Sequence, residues 1–250
     1  MSALNIILGL FFILLFAGLI LIYSLPRMNK KPPILRKIEA VEKLKLAMGL
    51  TVEAGTRIHI SLGNADLLSP YNGSALASLS VLEQVAVISQ LADRKPIATA
   101  GNGAVAVLSQ SVFKNSLEGK SITDIKESNQ GQLAGTTPLS YTAGAINVIR
   151  KDQVSTNVFL GNYGTEVALL GQTSNQMKAI TLGASDSLTA QAVLFAISDD
   201  PLIGEELFAL PAYLGTKRIH IASVKIQDFF RWVLIVAMLA GAVLKFLGSL

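Results

Sequence analysis

The chain has 250 residues, 51% of them hydrophobic and only 15% charged, with a formal net charge of +4 and no cysteine. The missing thiol excludes disulfides, thiolate nucleophiles, Cys-ligated zinc and iron–sulfur clusters together. The length between two apolar ends suits one domain with a single good core.

Ala3 to Leu25 is 23 residues with only Asn5, Tyr23 and Ser24 polar, long enough at about 1.5 Å per residue to cross a hydrocarbon layer of roughly 30 Å. It reads as a retained anchor and not a cleaved signal. No Lys or Arg precedes it, its apolar run exceeds that of a signal sequence, and no A-x-A-like site follows. Pro26 and Pro32-Pro33 end that helix and set a stiff elbow. Ile34 to Leu50 then places Ile34, Ile38, Val41, Leu44 and Met48 at helical spacing, with Lys and Glu opposite. This amphipathic helix is expected to pack on the domain, the alternative being a bilayer interface.

Beyond it a pattern of strand, glycine turn and helix repeats four times. Thr56 to Leu62 runs into Gly63-Asn64, Ile97 to Ala100 into Gly101-Asn102, Val158 to Leu160 into Gly161-Asn162, and Ala179 to Leu182 into Gly183-Ala184. The helical stretches that follow are Ala75 to Leu91, Ala104 to Phe113, Thr165 to Leu170 and Leu188 to Ile197. Tandem βα units predict an α/β fold with a mostly parallel, Rossmann-like sheet and flanking helices. Gly119 to Pro138, rich in Ser, Thr, Gly and Gln, reads as a loop, and Leu139 to Arg150 as a further helix.

Glycine at a strand's C-terminal end lets backbone N–H groups and a helix N-terminus approach an anion. Gly63, Asn64, Gly101, Asn102, Gly161, Asn162 and Gly183 are therefore the candidate ligand-binding residues, for a nucleotide or other phosphorylated molecule. The competing reading is structural glycines at tight turns. No G-x-G-x-x-G with a ribose acid and no G-x-x-x-x-G-K-[ST] accompanies them. Both histidines sit in an Arg-Ile-His-Ile tetrapeptide, at His59 and His220, which suggests paired strands or a duplicated edge. Alternation would turn both away from an isoleucine-lined core, as ordinary strand histidines. Asp199-Asp200-Pro201 and Glu205-Glu206 form the densest acidic cluster, expected to gather at a helix start as caps, with a cation site as the alternative. No catalytic residue, metal ligand set or cofactor emerges, and no G-x-S-x-G marks a nucleophile.

Phe229 to Leu247 is the second anchor candidate; Trp232 suits one interface and Lys245 snorkels to the other. The expected organisation is a membrane helix over 3–25, a basic linker and amphipathic helix over 26–54, an α/β domain over 55–224 and a membrane helix over 229–247. Charge sorts with these regions. Arg27 to Lys45 carries +5, Lys217 to Arg231 +3, and Leu46 to Thr216 carries −5. The positive-inside rule then predicts a cell-membrane protein whose central domain is cytoplasmic and whose termini are both outside. Arg27, Lys30, Lys31, Arg36 and Lys37 are candidates for contact with anionic lipid. A mildly acidic domain argues against nucleic acid as a partner.

Three stretches carry a resemblance. Ala190-Gln191-Ala192-Val193-Leu194-Phe195 followed by Asp200-Pro201-Leu202-Ile203-Gly204-Glu205-Glu206-Leu207-Phe208 and Ala212-Tyr213-Leu214-Gly215 is one. Gly55 to Gly63 and Gly161 to Leu170 are the others. Together they resemble a bacterial membrane-protein family of unknown function, which implies an α/β cytoplasmic domain between two membrane helices and no activity to carry over. The leading expectation is a non-enzymatic, membrane-anchored domain that assembles into a homo-oligomer or larger complex. Its low charge and the Ala237/Gly241 step on the second anchor point that way. The other expectation is phosphorylated-ligand binding at the Gly-Asn ends. A pore is disfavoured because neither apolar segment holds an acidic residue.

Overall fold

The computed structural model describes residues 3–24, 35–69, 72–89, 92–116, 130–215, 218–246 and 248. The Pro26 and Pro32-Pro33 elbow, the basic residues Arg27, Lys30 and Lys31, and the part of the expected loop at 119–129 lie outside them. Two compact units form, one from 37–215 and one from the two chain ends.

The larger unit begins with α2 (Glu39–Glu53) and continues as β1 (Arg57–Gly63), α3 (Asn72–Ile88), β2 (Ile97–Ala100), α4 (Gly103–Ser116) and β3 (Gly131–Leu133). It goes on through α5 (Pro138–Lys151), β4 (Val154–Asn162), α6 (Val167–Gln176), β5 (Ile180–Ser185), α7 (Leu188–Ile197), β6 (Asp200–Leu202) and α8 (Glu206–Leu214). The six strands are all parallel and lie in the order β3-β2-β1-β4-β5-β6. This is the doubly wound order of dinucleotide-binding sheets, and it reverses direction between β1 and β4.

The register explains the two cores. Ile60 pairs with Ala98 on one side and Val158 on the other, while His59 is level with Asn157. Ile58, Ile60 and Leu62 therefore share one face, covered by Val41, Leu44 and Met48 of α2, Leu82 and Val85 of α3, Phe113 of α4 and Leu207 and Leu210 of α8. The opposite face carries Phe159 of β4 against Tyr141 and Ile149 of α5, Leu170 of α6 and Leu194 of α7. Central strands of a parallel sheet are buried on both sides, so strand alternation here separates two cores and not core from water. The amphipathic α2 packs on the domain; its Leu44 and Met48 are buried and Leu46 is exposed.

Several local expectations change. Gly183-Ala184 is no turn: both residues lie within β5, opposite Phe159 and Leu160, and the strand continues to Ser185. The expected loop at 119–138 contains β3, and its last residue opens α5 behind an N-cap at Thr137. Asp199-Asp200 and Glu205-Glu206 do not gather at one helix start. Asp200 belongs to β6 and pairs with Lys43 at 2.8 Å, Asp199 Oδ2 accepts from Thr181 N at 2.7 Å, and only the two glutamates stand at the start of α8. His220 is helical and so cannot pair with the strand of His59.

The smaller unit holds α1 (Ala3–Ser24) and α9 (Arg218–Phe246), which pack together through Phe12 and Phe16 against Phe230, with ring centroids 5.1 and 5.9 Å apart. Both are long and apolar enough to cross a membrane. α9 begins well before Phe229, and Arg231 Nη1 donates to Asp228 Oδ1 within it at 3.1 Å.

Docking of α2 is measurable. Leu44→Ala should cost about 2–5 kcal/mol through the cavity it leaves, whereas Leu46→Ala should stay within about 0.5 kcal/mol. Pulse proteolysis of the solubilised protein across a urea series reads both; equal midpoints for the two variants would contradict the packing.

Candidate functional site

The reversal of strand order at β1 and β4 opens the ends of those strands to whatever lies above the sheet's C-terminal edge. Six of the seven predicted residues meet there. Gly63 ends β1 with φ +66° and stands level with Asn162, the last residue of β4. Asn64 N donates to Asn162 O at 2.8 Å, and Gly101 N donates to Gly63 O at 2.8 Å. A Cβ at Gly101 would collide with Asn64 Oδ1 and stand 3.0 Å from Gly63 O, so the close approach of these loops requires glycine. Gly183 stands apart within β5, where a Cβ would run into Leu194 and Ser198; its lack of a side chain lets α7 sit on the sheet.

Most of the side chains above these ends are held by neighbouring groups, while Asn64 Oδ1 is buried with no partner among the described residues. Asn102 Oδ1 accepts from Ala104 N at 2.8 Å and Val105 N at 3.4 Å, capping α4. Asn162 Nδ2 donates to Asp186 Oδ1 at 2.8 Å. Glu166 Oε1, just ahead of α6, accepts from Gly164 N at 2.8 Å and from Asn64 Nδ2 at 3.5 Å. Ser187 caps α7, and Glu206 Oε2 accepts from Ile203 N at 3.2 Å before α8. Side-chain oxygens thus cap the starts of α4 and α7, while the glutamates ahead of α6 and in the first turn of α8 hold the loop N–H groups upstream of those helices. Among the described residues, the loops that follow the strands carry Asp66, Glu166, Asp186 and Glu205 and neither Lys nor Arg.

Directly beneath the edge lies a polar network that the sequence patterns did not single out. His59 Nδ1 is 2.9 Å from Asn157 Oδ1, and its Nε2 is 2.8 Å from Thr99 Oγ1. Thr99 Oγ1 is 3.3 Å from Tyr141 OH, which also bonds to Ser61 Oγ and accepts from Gly63 N at 3.3 Å. Ser61 Oγ reaches Tyr163 OH at 2.7 Å, and that hydroxyl donates to Ser61 O at 2.8 Å. All six residues are buried. Asn157 Nδ2 alone among these side-chain atoms is buried without a partner. The signal that could have revealed the network is polarity in strands that must be buried on both faces, because such groups have to find partners. Burial drives His59 down from its ordinary 6.5 to about 4 against the opposing effects of Asn157 and Asp152, so its imidazole is neutral at pH 7. Burial also pushes the phenols of Tyr141 and Tyr163 up, keeping both protonated. Sealed from solvent, the network fixes α5 and the β4–α6 loop to β1 and β2 and offers a substrate no approach.

The model of a domain of unknown function, DUF6754, matches residues 2–250. The chain belongs to this family. The match runs through both long apolar helices as well as the α/β unit, so the family unit contains all three. No curated protein and no solved structure matches the chain. The three stretches singled out in the sequence fall on β1, on the β4–α6 junction, and on α7 through α8, all within the α/β unit of this DUF6754 member.

The neutral His59 makes stability pH-dependent. Below about pH 6.5 the unfolded chain takes a proton that the folded chain refuses until about pH 4, so the full contribution is present above 6.5 and is lost as pH falls through that window. At about 1.4 kcal/mol per unit the loss is on the order of 3 kcal/mol. Urea midpoints measured between pH 7.5 and 4.5 should fall in the native chain and flatten in His59→Gln; parallel slopes would contradict this account.

Proposed function

We propose that the chain is a membrane-anchored α/β domain that acts as an assembly subunit of a homo-oligomeric complex in the cell membrane and performs no chemistry of its own. The observation that carries this reading is the outer face of α7. That helix contains no charged residue, and Leu188, Ala192, Phe195 and Ala196 recur at helical spacing on its exposed side, with Leu188 82% and Phe195 65% accessible. A contiguous exposed apolar stripe ordinarily meets a partner surface, and the occupant proposed for this face is a second copy of the domain. Two anchors per chain hold copies in one plane and raise their effective concentration, so a modest patch suffices. Exposed Ala237 and half-buried Gly241, the latter with no described atom beyond its own helix turn within 4 Å of its Cβ position, support close approach between copies along α9 as well. The basic flanks at 27–45 and 217–231 favour a cytoplasmic domain with both termini outside.

Binding of a nucleotide or other phosphorylated molecule at the Gly-Asn ends is the second reading. Its support is their position at the reversal of strand order; the carboxylates that ring those ends weigh against it.

Native mass spectrometry of the gently solubilised chain separates the two. The assembly reading expects a discrete multimer that Phe195→Glu with Leu188→Glu converts to monomer at unchanged circular dichroism. A multimer that survives both changes would remove α7 as the interface, and a monomer carrying a reproducible nucleotide-sized mass would favour the second reading.

A further inference from the structure

Right-handed crossovers return every helix to the edge at which the strands begin, and there the described basic residues of the domain collect. Arg57 opens β1, Lys95 precedes β2, and Lys151 ends α5. These three line a cleft of about 340 Å³ below the starts of β1, β2 and β3, together with Gln130, Gln132 and Asp152. Among the described residues of the lining, three cations stand with one carboxylate. Asp152 is taken up by Arg57, whose Nη1 donates to Asp152 Oδ1 at 2.6 Å. A second cleft of about 390 Å³ shares Gln132, Lys151 and Asp152 and extends along α5.

We propose that this cleft binds a phosphate group, with Lys95 and Lys151 supplying charge and Arg57 and the two glutamines supplying directed N–H donors. Arg57 gives a second, independent sign. Its Nε is buried with no acceptor among the described residues, and a sealed donor left without an acceptor is destabilising. A guanidinium that already holds one carboxylate through Nη1 keeps other N–H groups for a second oxyanion. The site lies at the opposite edge of the sheet from the glycine turns. The sequence places the expected anion site where helix N-termini point, and the side-chain cations of this cleft stand at the other end.

Two sources carry this chemistry, a soluble phosphorylated molecule and the headgroup of an anionic phospholipid.

The test uses the full chain in a neutral detergent, with inorganic pyrophosphate, short-chain phosphatidic acid and short-chain phosphatidylcholine as separate additives. Pyrophosphate or phosphatidic acid should raise the melting midpoint by about 3 °C or more at saturation, and phosphatidylcholine should not. A shift with pyrophosphate assigns a soluble ligand; a shift with phosphatidic acid alone assigns the headgroup. Lys95→Gln with Lys151→Gln should abolish the shift, while Lys114→Gln, an exposed cation in the last turn of α4 away from the cleft, should keep it. Should the double variant lose cooperative melting, exposed Lys151→Gln alone carries the comparison, with a reduced shift expected. No shift with either anion, or an equal shift in the cleft variants and the native chain, would overturn the site. The proposal stands on the cleft alone and is independent of whether copies assemble through α7.

Discussion

Everything in the domain depends on β1 and β4 being sealed on both faces. A parallel pair at the centre of a sheet cannot show one side to water, so helices must cover both sides, and the handedness of the crossovers decides which. α3 and α4 cover one face and α5, α6 and α7 the other; α2 and α8 complete the first over β4, β5 and β6. Once that is settled, a polar side chain on β1 has no solvent to face. His59 and Ser61 must be satisfied inside the protein, and Asn157, Thr99, Tyr141 and Tyr163 answer them. The network is therefore a consequence of the topology, and it also locks the second helical layer onto the sheet.

The same winding sorts charge. Residues that follow strands and precede helices collect at one edge, where helix dipoles favour carboxylates; residues that end helices collect at the other, where they favour cations. Asp66, Glu166, Asp186 and Glu205 stand at the first edge, and Lys95, Lys114, Arg150 and Lys151 at the second. The mildly acidic sum of the domain conceals this division. The first edge is ringed by carboxylates, whereas the opposite edge presents a cleft lined by Arg57, Lys95 and Lys151.

The sequence patterns located long elements well. Ile97–Ala100 and Leu188–Ile197 coincide with β2 and α7, since bounding glycines and polar residues punctuate them. β3 and β6 escaped because three residues are too few to show a period. β6 also carries Pro201, which reads as a break until the strand is seen to lie at the sheet's edge. Gly183 was misplaced because a glycine that admits a helix and a glycine that makes a turn are identical in sequence. His220 repeats the tetrapeptide of His59, yet a four-residue likeness is weaker than the 29-residue helix around it.

By itself the sequence determined the class of fold, the two apolar helices and the gathering of glycines at strand ends. These depend on short-range periodicity and composition, which each segment carries alone. Only the tertiary structure decided the order of strands, the burial of His59, the capture of the Gly-Asn ends by neighbouring carboxylates and the meeting of Arg57, Lys95 and Lys151. Arg57 and Lys151 are separated by 94 positions, and no local pattern relates them. Their proximity follows from parallel strands starting at a common edge, and that edge exists only when the whole sheet has closed.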